Sequence, residues 1–507
     1  MLLSPSHVGE AAIRVTVVAV TLGTLVLYLF TPQKTLSSLP SFSTPGRVHP
    51  KNITAASGFP SQLTSFWQEL ALSLEGARPN APAIKVENGN PSDEYTKYEP
   101  LRDDKKPPER LDLTDENELE LFRTHYHMRT EAQRLGPSLP YVANTRGIVT
   151  TVGGKYLSIF LVSLRMLRRT ECDLPVEVFL DDWTQYNADF CEKTLPSLNA
   201  KCRILSDIYS KANGIAPPDH FQFKIFSILF SSFQHVLFLD ADSFPAHNPT
   251  DLFDNAPYTT HGLVMWPDIF GLTVSSHYYH VAGIPEIPVS ARYSSETGQL
   301  MLNKGVHKES LMMMVYYNYF GPQYYYPLLC QGSHGAGDKE TFIPAAEVMG
   351  LPWYQVRRGV VAIGNVKNGE FGLVAMAQND PKADYMYKAP HPSHNHDHDS
   401  WPTAVDDPRI KASPPSKPKP FIIHNNFHKL EPGLILRMDG PTRDGDGKRQ
   451  RMYGGKEGLI EKFGYDVEER LWEAISEVGC QQSEELCDEM KEHTQEVFGK
   501  HVEMELQ

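Results

Sequence analysis

The sequence predicts an α/β fold, a parallel sheet covered by helices. Between residues 146 and 239, short apolar runs alternate with helical patterns. Strand–helix–strand alternation packs as parallel strands joined by crossover helices. Two of the runs also end on acidic pairs. Val176–Leu180 leads into Asp181-Asp182, and Val236–Leu239 leads into Asp240-Ala241-Asp242. Residues just past the carboxyl ends of such strands sit in the crevice where α/β proteins take ligands. The length of 507 residues leaves room for one large α/β domain with a tether, or for two or three smaller ones.

The elements follow in chain order. Residues 1–10 form a short head. Residues 11–30 are apolar except for Arg14 and three threonines, and 11–31 read as a transmembrane signal anchor once Arg14 snorkels to the interface. A cleaved signal peptide is the alternative, but little positive charge precedes the run and no Ala-x-Ala site follows it. The large carboxyl-terminal body is then expected to be lumenal, with the sequon Asn52-Ile53-Thr54 just past the anchor. Residues 32–110 read as stem and linker: Ser-, Thr- and Pro-rich at first, a short amphipathic helix at Ser61–Leu74, then a Pro-, Asp- and Lys-rich stretch. Residues 111–145 read as a helical neck, with Thr114-Asp115 capping a helix to Leu135.

A catalytic domain is expected over 146–455. Gly147–Thr151 is its first strand, Val152-Gly153-Gly154 a turn, and Tyr156–Arg168 a helix with apolar residues at 157, 160, 161, 164 and 167. Phe221–Phe233 is a mostly apolar helix carrying Lys224. Residues 378–420 are polar and Pro-rich, with His391, His394, His396 and His398, and read as a surface insertion. Residues 456–507 have helical spacing and acidic bias and read as an extension packed on the core. None of the six cysteines is in a Cys-x-x-Cys pair, which argues against zinc held by cysteines; Cys480 with Cys487 could close a small loop. The net charge of −14 argues against nucleic acid as a partner, so an anionic substrate needs a local cationic site or a metal.

Four segments carry chemistry. Asp240 and Asp242, two apart in an extended chain, point the same way and can reach one ion. Two carboxylates with open positions suit Mg²⁺ or Mn²⁺; capping a turn is their plain alternative. Phosphotransfer on Asp240 is set aside, because Ser243-Phe244 departs from the Asp-x-Asp-x-Thr/Val pattern of haloacid-dehalogenase-like enzymes. In Ser295-Glu296-Thr297-Gly298-Gln299, placed just before an apolar strand, Gly298 lets a ligand approach, and Glu296 or Gln299 could touch a sugar hydroxyl; an ordinary turn is the plain alternative. In Gly332–Phe342 three glycines precede Asp338-Lys339-Glu340, where Asp338 either caps a helix or binds substrate. Phe421–Ile423 delivers His424 at a strand end with Lys429 nearby, as a third metal ligand and a phosphate-binding lysine would require.

The ordered set RGIVTTVGGKYL, PVEVFLDDW, FQFKIFSILFSSFQHVLFLDADSFP, ETGQ, GDKETF and HNNFHK resembles the fungal mannan-branching α-1,2-mannosyltransferases, type II Golgi membrane proteins, over about residues 146–430. The resemblance implies a GT-A fold, a Rossmann-like mixed sheet flanked by helices that binds a nucleotide sugar. It implies GDP-mannose as donor, a mannose-containing glycan as acceptor, Mn²⁺ (or Mg²⁺) as cofactor, and retention at the anomeric carbon. It also admits a complex with other Golgi glycosyltransferases. On this reading Asp240, Asp242 and His424 hold the metal. Lys224 or Lys429 adds a cation on the diphosphate, Gly298 lines the donor, and the base lies against Thr150, Thr151 and Gly153. The role of His424 comes from the wider class of retaining transferases, whose late motif has a glycine between histidine and lysine; here Asn425-Asn426-Phe427 stands instead. Catalysis then rests on Glu296, Gln299 and Asp338, either by same-face attack without a protein nucleophile or by double displacement on Glu296 or Asp338. An α-1,3 linkage, another hexose donor, or an inactive membrane-anchored glycan-binding protein are the alternatives.

Overall fold

The computed structural model describes residues 58–87, 108–367, 369–387 and 417–499. The segment 11–31, Asn52 and the four histidines at 391, 394, 396 and 398 lie outside them. Among the described residues no helix is long and apolar enough to cross a membrane.

Helix α1 (Phe59–Gly76) buries Phe59, Leu63, Phe66, Trp67, Leu70, Ala71 and Leu74, one apolar face at helical spacing. Trp67 meets Phe226 and Phe230 edge-on and donates its indole N–H to the Tyr209 carbonyl at 2.9 Å. Residues 85–86 pair antiparallel with residues 111–112. The expected stem of 32–110 is therefore corrected over 59–87, because so wide an apolar face is stable only when covered. Truncating Trp67 to Ala should cost about 3–5 kcal/mol. Deleting residues 1–76 should leave an apolar trough on the core and a chain that aggregates, whereas deleting 1–57 should not. Thermal melting of the two truncations checks this; equal stability would contradict it.

Helix α2 (Asp115–Leu135) starts as expected, with the Thr114 side chain accepting from the Asn117 N–H and three acidic residues in its first turn. The main sheet then forms from β1 (Val142–Thr151), β2 (Val176–Leu180), β3 (Ala200–Ile204), β4 (Phe233–Leu239), β6 (Leu263–Gly271), β7 (Tyr293–Asn303) and β8 (Tyr354–Gln355), in the order β8-β6-β7-β4-β1-β2-β3. Helices α3 (Tyr156–Arg168) and α4 (Gln222–Phe230) make the crossovers into β2 and β4. Strands β1 to β4 are parallel as predicted, but β7 runs antiparallel to both β4 and β6, so the sheet is mixed. Ser295–Gln299 lies inside β7, not in a turn before it. Its register against β6 slips beside Trp266, where a bulge re-aims the side chains.

A short strand, β5 (Ser243–Pro245), leaves the main sheet directly after Asp242. It joins β9 (Val361–Lys367), β10 (Glu370–Asn379) and β11 (Pro420–His424) in an antiparallel sheet ordered β9-β10-β11-β5. The register pairs Ser243 with His424, which brings the late histidine beside the early aspartates. The expected insertion at 378–420 is corrected at its described ends. Gln378 and Asn379 are buried in β10 and bond backbone carbonyls, and Asp384 is buried and accepts from Tyr354 and Arg357. These polar residues resemble surface residues in composition but have internal partners.

The carboxyl-terminal helices α6 (Lys456–Phe463), α7 (Val467–Cys480) and α8 (Glu484–Phe498) pack on the core, burying Trp472, with Glu477 bridging Arg165 (2.6 Å) and Arg169 (2.5 Å) of α3 and its end. Disulfides join Cys480 to Cys487 and Cys191 to Cys202; Cys172 and Cys330 are free and buried.

Candidate functional site: an aspartate–histidine centre

Strand β4 is apolar and fully covered at Val236–Leu239, so its exit is fixed. The Asp240 N–H donates to the Gly298 carbonyl at 2.8 Å and the Ser243 N–H to the Asp240 carbonyl at 3.0 Å, which closes a tight turn. The Asn425 N–H donates to the Asp242 carbonyl at 2.9 Å, and Tyr453, ahead of α6, donates to the Asn425 side chain at 2.5 Å. Four separate elements thus hold the turn.

Ligand atoms of Asp240, Asp242 and His424 lie within 4.8 Å of one another. His424 Nε2 is 3.3 Å from Asp242 Oδ1, and its Nδ1 is 3.0 Å from Glu296 Oε1. The Lys429 ammonium pairs with the other Asp242 oxygen. Buried Lys224 donates to the Thr297 carbonyl (2.7 Å) and hydroxyl (2.9 Å), and sits 3.2 Å from Asp338 and 3.5 Å from Asp240. Glu296 accepts from the Gly298 N–H at 2.6 Å and from the Gln299 amide. Gln299 is fully buried, and its Oε1 has no protein partner. A Cβ on Gly298 would stand 2.6 Å from His424 Cε1 and 2.8 Å from Glu296 Oε1, so only glycine admits this contact.

Burial pushes the Asp240 carboxyl up to about 6, with Lys224 and His424 pulling it back. Burial acts the same way on Asp242, but Lys429 and His424 outweigh it and hold that carboxyl well below the usual range. Burial alone would lower the His424 imidazole; Glu296 and Asp242 instead lift it to about 10. Four carboxylates (Asp240, Asp242, Glu296, Asp338) face three cations (Lys224, His424, Lys429). The surplus negative charge and the two-carboxylate, one-imidazole donor set can hold a divalent cation.

The sequence-derived residues divide in two. Asp240, Asp242, Lys224, Glu296, Gly298, Gln299, Asp338, His424 and Lys429 come together. Thr150, Thr151 and Gly153 lie one strand over, at the end of β1; Thr150 Oγ1 is buried without a protein partner, and Gly153 packs under Gln185. Sequence reasoning missed Thr297 as the holder of Lys224, although it sat inside the segment singled out. It also missed that Lys339 and Glu340, inside another segment singled out, pair with buried Asp268 (3.0 Å) and Arg292 (2.8 Å), partners that no local pattern marks.

A mixed α/β sheet that delivers an aspartate–histidine centre at its strand ends defines the class of protein, and comparison with known proteins names the family. The model of the family described as "Mannosyltransferase putative" matches residues 145–294 and 289–395. Alpha-1,2-mannosyltransferase MNN21 of Candida albicans is 31% identical over 81% of this chain and 72% of its own length. Alpha-1,2-mannosyltransferase MNN2 of Saccharomyces cerevisiae is 33% identical over 54% of this chain and 52% of its own length. The chain belongs to this mannosyltransferase family. Among solved structures, core-mannan synthase A (CmsA/Ktr4) from Aspergillus fumigatus in its Mn/GDP form matches at 10% identity and a TM-score of 0.26, over 43% of this chain and 75% of that one, a likeness too distant to bear on the chemistry.

Proposed function

We propose that the protein transfers mannose from GDP-mannose to a mannoside acceptor, forming an α-1,2 linkage with retention, on a GT-A fold. Membership of the mannosyltransferase family supports the sugar and the relatives' names support the linkage. The observation that carries the reading is the meeting of Asp240, Asp242 and His424 with two lysines at the exit of β4. That set fits Mn²⁺ or Mg²⁺, and such an ion, when bound, neutralises charge on the departing diphosphate. Lys224 and Lys429 supply further positive charge beside it. Glu296 faces the second nitrogen of His424, an arrangement that fixes the ring and presents Nε2 to the metal. Both oxygens of Glu296 are engaged and Asp338 is paired with Lys224. Neither is poised as a nucleophile, which favours same-face attack with the leaving phosphate taking the acceptor proton. Glu296 is then a positioning residue, and Gln299, with its open Oε1, is the one able to accept from a substrate hydroxyl. The same reading extends to setting: a single-pass type II chain anchored by residues 11–31, acting in the Golgi lumen on N-glycan or mannan branches.

Ion binding should depend on pH with a definite sign. In the ion-free protein His424 is protonated below about 10, and ligation requires the neutral ring. Binding at neutral pH therefore releases a proton, and affinity should rise by about tenfold per pH unit, more steeply near pH 6 where Asp240 must also lose its proton. Titrating Mn²⁺ at pH 6, 7 and 8 checks this; affinity independent of pH would contradict ligation by His424. The function itself is tested by incubating the full chain with GDP-mannose, other nucleotide sugars and α-mannoside acceptors, followed by linkage analysis. An α-1,2-mannoside made from GDP-mannose alone is expected; transfer of another sugar, or an α-1,3 product, would overturn the proposal.

A further inference from the structure

A second group of metal-ligating side chains lies outside this site. Glu118 sits in the first turn of α2. His277 and His280 stand three apart on helix α5 (Ser276–Ala282), and so share one face of it. Both imidazoles turn Nδ1 toward the one carboxylate: His277 contacts Oε2, and His280 lies 3.2 Å from Oε1. The three ligand atoms lie within 4.8 Å of one another.

The supports of these side chains are rigid. Thr114 caps α2 one turn before Glu118. Ser275 caps the histidine helix through the His277 N–H at 3.1 Å; its own N–H donates to the Leu328 carbonyl at 2.9 Å and its hydroxyl to Glu109 at 2.7 Å. Between the two histidines, Tyr278 is fully buried and its hydroxyl meets that of Tyr317 at 3.1 Å, which in turn meets His125 of α2 at 2.8 Å. The two backbones that carry the three ligands are thereby locked together from beneath, while His280 remains 66% exposed and open to an incoming ion.

We propose that Glu118, His277 and His280 form a binding site for a borderline transition-metal ion of the zinc class, which clasps α2 to the histidine helix. Two imidazoles and one carboxylate, with a fourth position open to water, are a donor set for Zn²⁺, Co²⁺ or Ni²⁺, not for Mg²⁺ or Ca²⁺. The carboxylate-rich centre at Asp240 has the opposite preference. The histidine helix lies just before β7, the strand that carries Glu296 to Gln299. The ion is thus a structural clasp, independent of the proposed function.

The test is equilibrium dialysis of the metal-stripped full chain against Zn²⁺, in a background with His391, His394, His396 and His398 changed to Ala so that they take no zinc. Relative to that background, the pair His277→Ala/His280→Ala should bind one fewer equivalent, and Glu118→Gln should weaken that equivalent by about tenfold or more. Zn²⁺ should raise the melting temperature of the background chain more than that of the pair. His280→Ala alone, a change at an exposed position, should reproduce the loss without disturbing the fold. Unchanged zinc stoichiometry in the pair, or an equal zinc-induced melting shift, would overturn the proposal.

Discussion

Changing Asp242 to Asn should lower mannosyl transfer by about a thousandfold or more, the largest effect expected of any single substitution here. Asp242 is the carboxylate that Lys429 and His424 keep ionised, and it stands between both cations. The amide is nearly the same size but carries no charge, so the ion loses its strongest ligand and the two cations lose their shared partner. Steady-state transfer with Mn²⁺ in excess measures this, with circular dichroism as the check on folding. Transfer within tenfold of the parent would remove Asp242 from the site. Asp240→Asn should be less severe at low pH, because burial already brings that carboxyl up to about 6.

Gly298→Ala should be nearly as damaging, though it adds only a methyl group. The new Cβ would overlap the His424 ring and the Glu296 carboxylate, and neither can retreat: both are buried, and the Glu296 carboxylate is bonded on both oxygens. The imidazole must turn away from Asp242, and affinity for the ion should fall by about 10–100-fold. Mn²⁺ dependence of transfer, read as a rise in the ion concentration for half-maximal rate, separates this from simple unfolding. An unshifted Mn²⁺ requirement would mean that His424 does not ligate.

The strands and helices that were legible in the sequence are those whose own residues determine them. Strand Val176–Leu180 and helix Tyr156–Arg168 are found with the bounds expected, since an unbroken apolar run and a complete apolar stripe need no distant information. The Thr114 cap is legible for the same reason. Ser295–Gln299 reads as lying ahead of its strand because its polar residues sit in a buried strand, satisfied by Glu340, Lys224 and His424 from three other elements. No local window contains those partners. The same holds at Gln378 and Asn379, whose bonds go to backbone far along the chain. Helix α1 was recognised as amphipathic but assigned to the stem, since the pattern says that a face must be buried without saying against what. In the site, the residues marked by a strand end or a motif were found. Asp268, which Lys339 pairs with across a bulge and a loop, carries no such mark.

The most direct measurement is GDP affinity of the metal-stripped full chain, with Mn²⁺ and in excess chelator, for the parent and for Asp242→Asn. If Asp240, Asp242 and His424 jointly hold the ion that meets the diphosphate, GDP should bind about tenfold or more tighter with Mn²⁺ in the parent. That gain should vanish in Asp242→Asn. GDP binding that is equally tight in chelator, or a Mn²⁺ gain that survives in Asp242→Asn, would contradict the assignment of the metal centre.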